Sequence, residues 1–247
     1  MKPIAILNNG PIRRANLEFL NACGGDQDVL FASASGLPVS AFVDFDIEGG
    51  AELPEPDGFA AVILTGSPSM ITGRHPWAEA EAAWLRRHRG RLPMLGVCFG
   101  HQMLTHALGG EVDWTPTGPE YGTVPITLTA AAEGDPLFGG LCRELTAMSA
   151  HSQNVARLPA DAVSLAIGAS GIQAARFDAT IWGVQFHPEF DARAMRGLFS
   201  AYREHYTQLG LDIDALTDGL ADTPLAAGIV RNFVALCPGA DALAAGL

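Results

Sequence analysis

Continuous apolar runs alternate with helical patterns along the first half of the chain. Runs of this kind, without internal polar residues, are typical of parallel strands that are buried on both faces. Strands are predicted at residues 3–7, 40–45, 59–64 and 92–97. Helices are predicted at residues 12–23, 77–89 and 101–108. The alternation predicts an α/β protein with an open, mostly parallel sheet and helices on both faces.

The second half of the chain shows a different pattern. Val124, Ile126 and Leu128 alternate with polar or small residues, which predicts antiparallel strands that extend the sheet. Further strands are predicted at residues 145–148, 163–167, 172–177 and 180–186, and a loop with a short helix at residues 134–141.

The C-terminal part of the chain is predicted to be helical. Asp191 is expected to cap a helix that ends near Gln208, and Thr223 to cap the second of two short helices beyond residue 211. We therefore expect one domain over residues 1–208, with residues 209–247 as a helical extension packed on it.

Composition argues against several classes of function. The chain has 247 residues, 48% of them hydrophobic, and a net charge of -12, which argues against nucleic acid as a partner. It has no secretory signal pattern and no apolar run of about 18 residues, so no membrane span is expected. Its four cysteines lack metal-site spacing, and a reducing cytoplasm is the expected location.

Cys98 is the first candidate for chemistry. It directly follows a predicted strand, precedes a predicted helix and lies between Gly96 and Gly100. This pattern resembles the nucleophile elbow, in which a sharp turn exposes the nucleophile and the helix N-terminus favours a thiolate. Cys98 taken alone fits a buried structural cysteine equally well.

A distant pair of residues favours the catalytic interpretation. His187 and Glu189 follow another apolar strand and are separated by Pro188. A nucleophilic thiol needs a base that takes its proton and a third group that orients the base. One strand end can supply both groups here.

These motifs resemble those of the class I, triad-type glutamine amidotransferase family. The resemblance rests on residues 96–102 around Cys98, on residues 185–189 around His187, and on the loop Thr65-Gly66-Ser67-Pro68. It covers about residues 1–190, and three motifs in the same order are more specific than any one. The motifs are similar to those of the amidotransferase half of GMP synthetases and of plant γ-glutamyl peptidases. The implied fold is the flavodoxin-like sheet of that family.

The resemblance also implies roles for individual residues. Cys98, His187 and Glu189 would form the catalytic triad, and the backbone N–H groups of Ser67 and Phe99 the oxyanion hole. Substrate-binding groups would be Gly66, Gln102, Ser152 and Gln153. Many family members have a glycine at the position of Ser67, so its side chain is expected to affect the substrate. His151, His101 and His106 are expected to be structural, and no metal or organic cofactor is expected.

Three functions remain open. The chain is a free-standing hydrolase of glutamine or another γ-glutamyl compound, an ammonia-supplying subunit of a two-component synthetase, or a binding protein without activity. It contains no pyrophosphate-binding loop, so acceptor chemistry would need a separate synthetase partner. The small-molecule substrate is glutamine by default, and a homodimer is left open.

Overall fold

The computed structural model of the chain describes residues 2–10 and 17–239. The strands are β1 (Ile4–Asn8), β2 (Phe42–Asp46), β3 (Ala61–Leu64), β4 (Met94–Val97), β5 (Glu111–Trp114), β6 (Glu120–Leu128), β7 (Glu144–His151), β8 (Gln153–Arg157), β9 (Val163–Gly168), β10 (Gly171–Arg176) and β11 (Ile181–Val184). The helices are α1 (Leu17–Cys23), α2 (Gln27–Ser35), α3 (Pro76–His88), α4 (Phe99–Ala107), α5 (Ala192–Ala201), α6 (Arg203–Gln208), α7 (Ile213–Asp218) and α8 (Pro224–Ala235).

Nine strands form one sheet in the order β2-β1-β3-β4-β11-β10-β9-β6-β7. The first five of these pair in parallel, and the remaining pairs are antiparallel. Strands β5 and β8 form a separate antiparallel pair. The predicted mostly parallel sheet with an antiparallel extension is therefore confirmed.

Helices cover the sheet from both sides. Apolar side chains of β1 alternate between the two faces, so that Ile4 and Ile6 pack with α2 and α8, while Ala5 and Leu7 pack with α3 and α4. A third apolar cluster joins α5 to the end of α1 and to Met148 of β7. This third cluster lies beside the sheet edge where the candidate residues are located.

Several local predictions were wrong. Helix α2 was not predicted, because six of its nine side chains are buried, the polar Gln27 and Asp28 among them, and no polar face marks it as a helix. The helix expected to continue to Gln208 breaks at Tyr202 into α5 and α6. Strand β8 was also missed, and residues 134–141 form turns rather than a short helix. Of the predicted helix 12–23, residues 12–16 lie outside the described residues.

Of the two predicted N-caps, one is confirmed and the other is wrong. The Asp191 side chain accepts a hydrogen bond from the Ala194 N–H at 2.7 Å, as expected for the start of α5. Thr223 makes no side-chain cap bond to α8, which instead begins with Pro224.

Helices α7 and α8 account for the described part of the predicted extension. Ile229, Val230 and Phe233 of α8 are fully buried in the same apolar cluster as β1. The boundary between residues 208 and 209 stays a prediction. Within the described residues, no helix is both long and apolar enough to cross a membrane.

Candidate active site

Three neighbouring parallel strands end at one edge of the sheet and carry the main candidates. Strand β4 leads into Cys98, β3 into the Thr65-Gly66-Ser67 loop, and β11 into the segment of His187. The carboxyl ends of parallel strands are where open α/β sheets bind their ligands. The β4–β11 register continues past the strands, since the Cys98 N–H donates to Val184 O at 2.8 Å.

Cys98 has a strained backbone. Its φ of 51° and ψ of -103° place it outside the usual regions for a residue with a side chain, directly before α4. A Cβ on Gly96 would collide with the carbonyl of Gly100, and one on Gly100 with the carbonyl of Leu64. Both glycines are thus required for the tight strand-to-helix turn.

The other three cysteines lie in different surroundings. Burial raises the pKa of Cys23 to about 11 and that of Cys237 to about 12, which keeps both as neutral thiols. Cys142 is exposed and away from the sheet edge. Cys98 is buried, and its Sγ lies 3.7 Å from both Ala150 O and Gln185 Nε2.

His187 is held from three sides. Its Nδ1 lies 2.7 Å from Glu189 Oε1, and its ring stacks on Phe190 at 4.5 Å between centroids. Its backbone N–H donates to Met148 O at 2.8 Å. Burial alone would lower the pKa of His187, but Glu189 and Cys98 together raise it to about 10. The imidazole of His187 is therefore largely protonated at neutral pH.

Gly66 lies close to both Cys98 and the imidazole ring of His187. A Cβ placed on Gly66 would be 2.7 Å from His187 Cε1, 3.5 Å from His187 Nε2 and 3.6 Å from Cys98 Cβ. Any side chain at this position would therefore push against the imidazole ring. The absence of a Cβ leaves room for a reacting group between the loop, the sulfur and the ring.

The two predicted oxyanion donors remain available in the described structure. No hydrogen bond among the described residues uses the backbone N–H of Ser67 or of Phe99. The Ser67 Oγ accepts from the Ser69 N–H at 3.0 Å, so the hydroxyl is engaged within its own loop. The Gly100 N–H donates to Thr65 O at 3.1 Å and joins the start of α4 to the same loop.

A buried polar group behind the loop was missed by sequence reasoning. The Asn9 N–H donates to Thr65 Oγ1 at 2.9 Å, and Asn9 Nδ2 donates to Glu81 Oε1 at 3.1 Å. Asn9 and Glu81 are both fully buried. Burial raises the pKa of Glu81 to about 8, so the carboxyl is largely neutral at pH 7. An uncharged acid of α3 thus supports the loop that carries Gly66.

Two of the predicted substrate-binding residues, Gln102 and Gln153, are joined to each other by a hydrogen bond. Gln102 Nε2 donates to Gln153 O at 2.7 Å and to Gln185 Oε1 at 3.1 Å, so its amide ties α4 to β8. Gln153 Nε2 donates to Thr72 Oγ1 at 2.7 Å. The buried Gln153 Oε1 has no hydrogen-bond partner.

The three histidines that were expected to be structural differ in burial and in their partners. His151 Nε2 lies 3.2 Å from Glu120 Oε2, and its Nδ1 lies 3.0 Å from Gln153 O. His101 is fully buried, and burial lowers its pKa to about 3, so the ring stays neutral. His106 lies 3.1 Å from Glu79 near the surface.

One cavity of about 350 Å³ brings these groups together. Seven of the predicted site residues line it, namely Gly66, Ser67, Cys98, Gln102, Ser152, Gln153 and His187, while Glu189 and Phe99 do not. Sequence reasoning missed further lining residues, among them Gln27, Tyr121, Tyr202 and Tyr206. Within the described part of the chain, no group of three or more His, Cys, Asp or Glu residues is arranged to hold a metal.

Comparison with known proteins shows the family to which the chain belongs. The model of the family "Glutamine amidotransferase class-I" matches residues 41–201. A GMP synthase (glutamine-hydrolyzing) of Christiangramia forsetii is 37% identical over 141 residues, which are 56% of this chain and 26% of the relative. One named subunit of the glutamine-hydrolyzing GMP synthase of Ignicoccus hospitalis is 34% identical over 141 residues, which are 56% of this chain and 71% of that relative. The chain thus spans about a quarter of the first of these relatives.

Solved structures share the fold. A glutamine amidotransferase from Thermotoga maritima superposes with a TM-score of 0.71 at 18% identity, over 95% of this chain and 97% of that chain. A structure described as a putative GMP synthase subunit from Thermoplasma acidophilum has a TM-score of 0.56 at 24% identity, over 84% of this chain and 98% of that chain. The family match extends over more than half of the sequence and includes Cys98 and His187. The chain therefore belongs to the class I glutamine amidotransferase family.

Proposed function

We propose that the chain cleaves the γ-glutamyl amide bond of glutamine or a related γ-glutamyl compound through a Cys98 thioester. The observation that carries this proposal is the convergence of Cys98 and His187 on Gly66, with His187 Nδ1 at 2.7 Å from Glu189. A strained cysteine, an oriented imidazole and a side-chain-free space between them are what acyl transfer requires.

The first half-reaction forms the thioester. The Cys98 thiolate attacks the γ-carbonyl carbon, and the carbonyl oxygen becomes an oxyanion between the N–H groups of Ser67 and Phe99. The C–N bond then breaks, and the His187 imidazolium gives its proton to the departing ammonia or amine. Glu189 stabilises the imidazolium before this transfer and orients the ring throughout.

The second half-reaction releases glutamate. Neutral His187 takes a proton from a water molecule, and the resulting hydroxide attacks the thioester carbon. The C–S bond breaks, and Cys98 leaves as a thiolate beside a reprotonated His187. The net reaction consumes one water and yields glutamate and one amine, so that no redox step is involved.

Recognition of the glutamyl part falls to the side of the cavity formed by β8. The unpaired Gln153 Oε1 is an acceptor for an α-ammonium group, and Ser152 and Gln102 lie beside it in the cavity wall. A buried acceptor without a partner is costly, so a ligand donor at this position contributes to binding.

The alternative function is that of an ammonia-supplying subunit. The match to the Ignicoccus hospitalis relative favours it, since that relative is named as one subunit of a GMP synthase. In this case released ammonia is passed to a separate synthetase, and glutamine is the substrate. A binding protein without catalysis is the third candidate and fits the strained Cys98 least well.

Turnover by the purified chain separates these candidates. Glutamate release is measured with glutamine and with γ-glutamyl amides, for the wild type, Cys98→Ala and the exposed control Cys142→Ser. Cys98-dependent turnover of the isolated chain supports the hydrolase. Weak turnover that is raised by adding the synthetase component of a GMP synthase supports the alternative. No turnover in either condition, with Cys98 unreactive towards an electrophilic glutamine analogue, rejects both catalytic functions.

A further inference from the structure

The cavity extends beyond the catalytic groups into a compartment with a different lining. We define the aromatic compartment as the part of the cavity lined by six residues, namely Gln27, Tyr121, Leu198, Tyr202, His205 and Tyr206. The whole cavity, at about 350 Å³, falls in the range of about 300–1,000 Å³ that is usual for ligands of drug size. Part of this space is therefore available to a group attached to the glutamyl moiety.

Tyr206 is the centre of this compartment. Its ring centroid lies 4.9 Å from that of Tyr121, 5.9 Å from Tyr202 and 5.6 Å from His205. Tyr206 is only 6% exposed and is backed by the buried ring of Phe199 at 5.8 Å. Packed rings of this kind offer a rigid apolar surface and lose little conformational entropy when a ligand binds.

The compartment adjoins the glutamyl side of the cavity. The Tyr121 hydroxyl lies 3.2 Å from Ser152 Oγ, next to the glutamyl side of the cavity. Burial raises the pKa of Tyr121 and of Tyr206, and the negative charge of Cys98 adds to both increases. The contact between Tyr121 and Ser152 thus joins the compartment to the glutamyl side of the cavity.

Gln27 supplies a polar anchor in the compartment. Its side chain is 3% exposed, and its Oε1 has no hydrogen-bond partner although it belongs to a residue of the cavity wall. Buried polar atoms are normally paired, and an N–H or O–H group of a ligand that reaches this oxygen would pair it. It lies on a different element from Gln153, which has the other unpaired acceptor of the cavity.

Charge limits what the compartment can bind. Among the described residues, the cavity wall contains no Lys, Arg, Asp or Glu side chain. Within the described part of the chain, the compartment therefore offers no Lys or Arg partner to the carboxylate of an amino-acid leaving group, and no Asp or Glu partner to a polyamine. A neutral aromatic group with one hydrogen-bond donor fits the lining best.

We propose that the aromatic compartment binds the leaving amine of a γ-glutamyl amide, and that this amine is aromatic and otherwise uncharged. The inference rests on the proposed hydrolysis and specifies its substrate class. The Cys98 thioester is formed as before, and the aromatic amine takes the proton of His187 as its C–N bond to the glutamyl carbonyl breaks. Gln27 accepts a hydrogen bond from a donor on the aromatic group.

The test compares four substrates of the purified full chain. Glutamate release is measured for glutamine, for γ-glutamylphenylalanine, and for two amides whose leaving amine bears an aryl ring and no carboxylate. These two, γ-glutamylanilide and γ-glutamyltyramide, are called the aryl amides. We expect kcat/KM for one of the two aryl amides to exceed that for glutamine by about tenfold or more, since a filled apolar pocket discriminates by about 10- to 200-fold. The dipeptide, which combines a phenyl ring with a carboxylate, is expected to be the poorer aromatic substrate.

Variants then assign the effect to the compartment. Tyr206→Leu and Tyr202→Leu are expected to reduce the ratio of aryl amide to glutamine kcat/KM by about tenfold, and Tyr206→Phe to keep it. Leu209→Ala, at a side chain 46% exposed just after α6, is the matched control. Binding of the aryl amides to Cys98→Ala, measured by calorimetry, supplies a readout that needs no turnover and is expected to weaken when Gln27→Met is added.

Failures of the two proposals are distinguishable. Cys98-dependent glutamate release with glutamine as the best substrate overturns the aromatic-amine proposal and leaves the proposed function standing. Preference for γ-glutamylphenylalanine over both aryl amides also overturns it. Tight binding of the aryl amides to Cys98→Ala, without glutamate release from any substrate by the wild type, refutes the proposed hydrolysis instead.

Discussion

The two sides of the cavity are built in different ways. The edge to which we assign catalysis, called the catalytic edge, consists of residues that follow β3, β4 and β11, so backbone hydrogen bonds between adjacent parallel strands set its geometry. The aromatic compartment consists of side chains from α2, α5, α6 and β6, whose positions depend on how helices pack beside the sheet. The family model matches residues 41–201, so Gln27, Tyr202, His205 and Tyr206 all lie outside it.

Under the proposed function, the catalytic edge carries the chemistry and the aromatic compartment determines the preference among substrates. Backbone-defined positions tolerate little change, because Gly66, Gly96 and Gly100 leave no room for a Cβ. Helix side chains can be exchanged while the strand ends keep their arrangement. We therefore expect substitutions at the catalytic edge to reduce turnover of every substrate, and substitutions in the aromatic compartment to change the preference among substrates.

Cys98→Ala should have the largest effect. Without the sulfur no thioester forms, and we expect kcat/KM for glutamine and for aryl amides to fall together by more than about 10⁴-fold. An electrophilic glutamine analogue should label Cys98 in the wild type, as located by peptide mapping. The exposed control Cys142→Ser should keep both activity and labelling. Label chiefly on another cysteine, with activity lost in step, would contradict the site assignment.

Glu189→Gln should reduce kcat by about 10²- to 10⁴-fold for all substrates, since the neutral amide no longer stabilises the imidazolium of His187. The pKa of His187, raised to about 10 by Glu189 and Cys98 against the opposing effect of burial, should fall in the variant. The alkaline limb of the kcat profile should therefore move to lower pH. An unchanged profile would show that Glu189 does not orient the base.

The same raised pKa makes a prediction for stability. The pKa of His187 is above the value of about 6.5 expected in the unfolded chain, so its protonation stabilises the fold fully below pH 6.5 and progressively less as pH approaches 10. In Glu189→Gln, the free energy of unfolding that is lost between pH 6.5 and 10 through deprotonation of His187 should be smaller. Urea unfolding of both proteins across this range measures the difference.

Gly66→Ala should reduce kcat by about 100-fold, because a new methyl group 2.7 Å from His187 Cε1 displaces the imidazole. Gly58→Ala is the matched control, since a Cβ at Gly58 meets no atom within 4 Å. Both proteins should keep the circular dichroism spectrum of the wild type. Full activity in Gly66→Ala would mean that His187 does not need its observed position.

Tyr121→Phe should have the smallest effect and reports on the contact between the two sides. Loss of the hydroxyl removes a neutral hydrogen bond to Ser152 Oγ, which corresponds to about a two- to tenfold decrease in kcat/KM. The decrease should appear in KM rather than in kcat. A fall in kcat as large as that of Gly66→Ala would place this tyrosine at the catalytic edge.

Sequence patterns were most informative where neighbouring residues determine the structure. The apolar run before Cys98 and the two glycines around it predicted the strand, the turn and the helix that the structure contains. The capping role of Asp191 is equally local and was confirmed. Patterns failed where tertiary packing decides, as in α2, six of whose nine side chains are buried, and at Tyr202, where the chain ends α5 and starts α6.

The amino-acid sequence was enough to predict the α/β fold, the sharp turn at Cys98 and the pairing of His187 with Glu189, because each depends on residues a few positions apart or on a motif. The other residues that share the cavity could be identified only in the folded chain. Gln27, Tyr121 and Tyr206 are far apart along the chain, and no local pattern predicts that α2, β6 and α6 meet beside one sheet edge. Their proximity results from helix packing against a twisted sheet, which is a property of the whole folded chain.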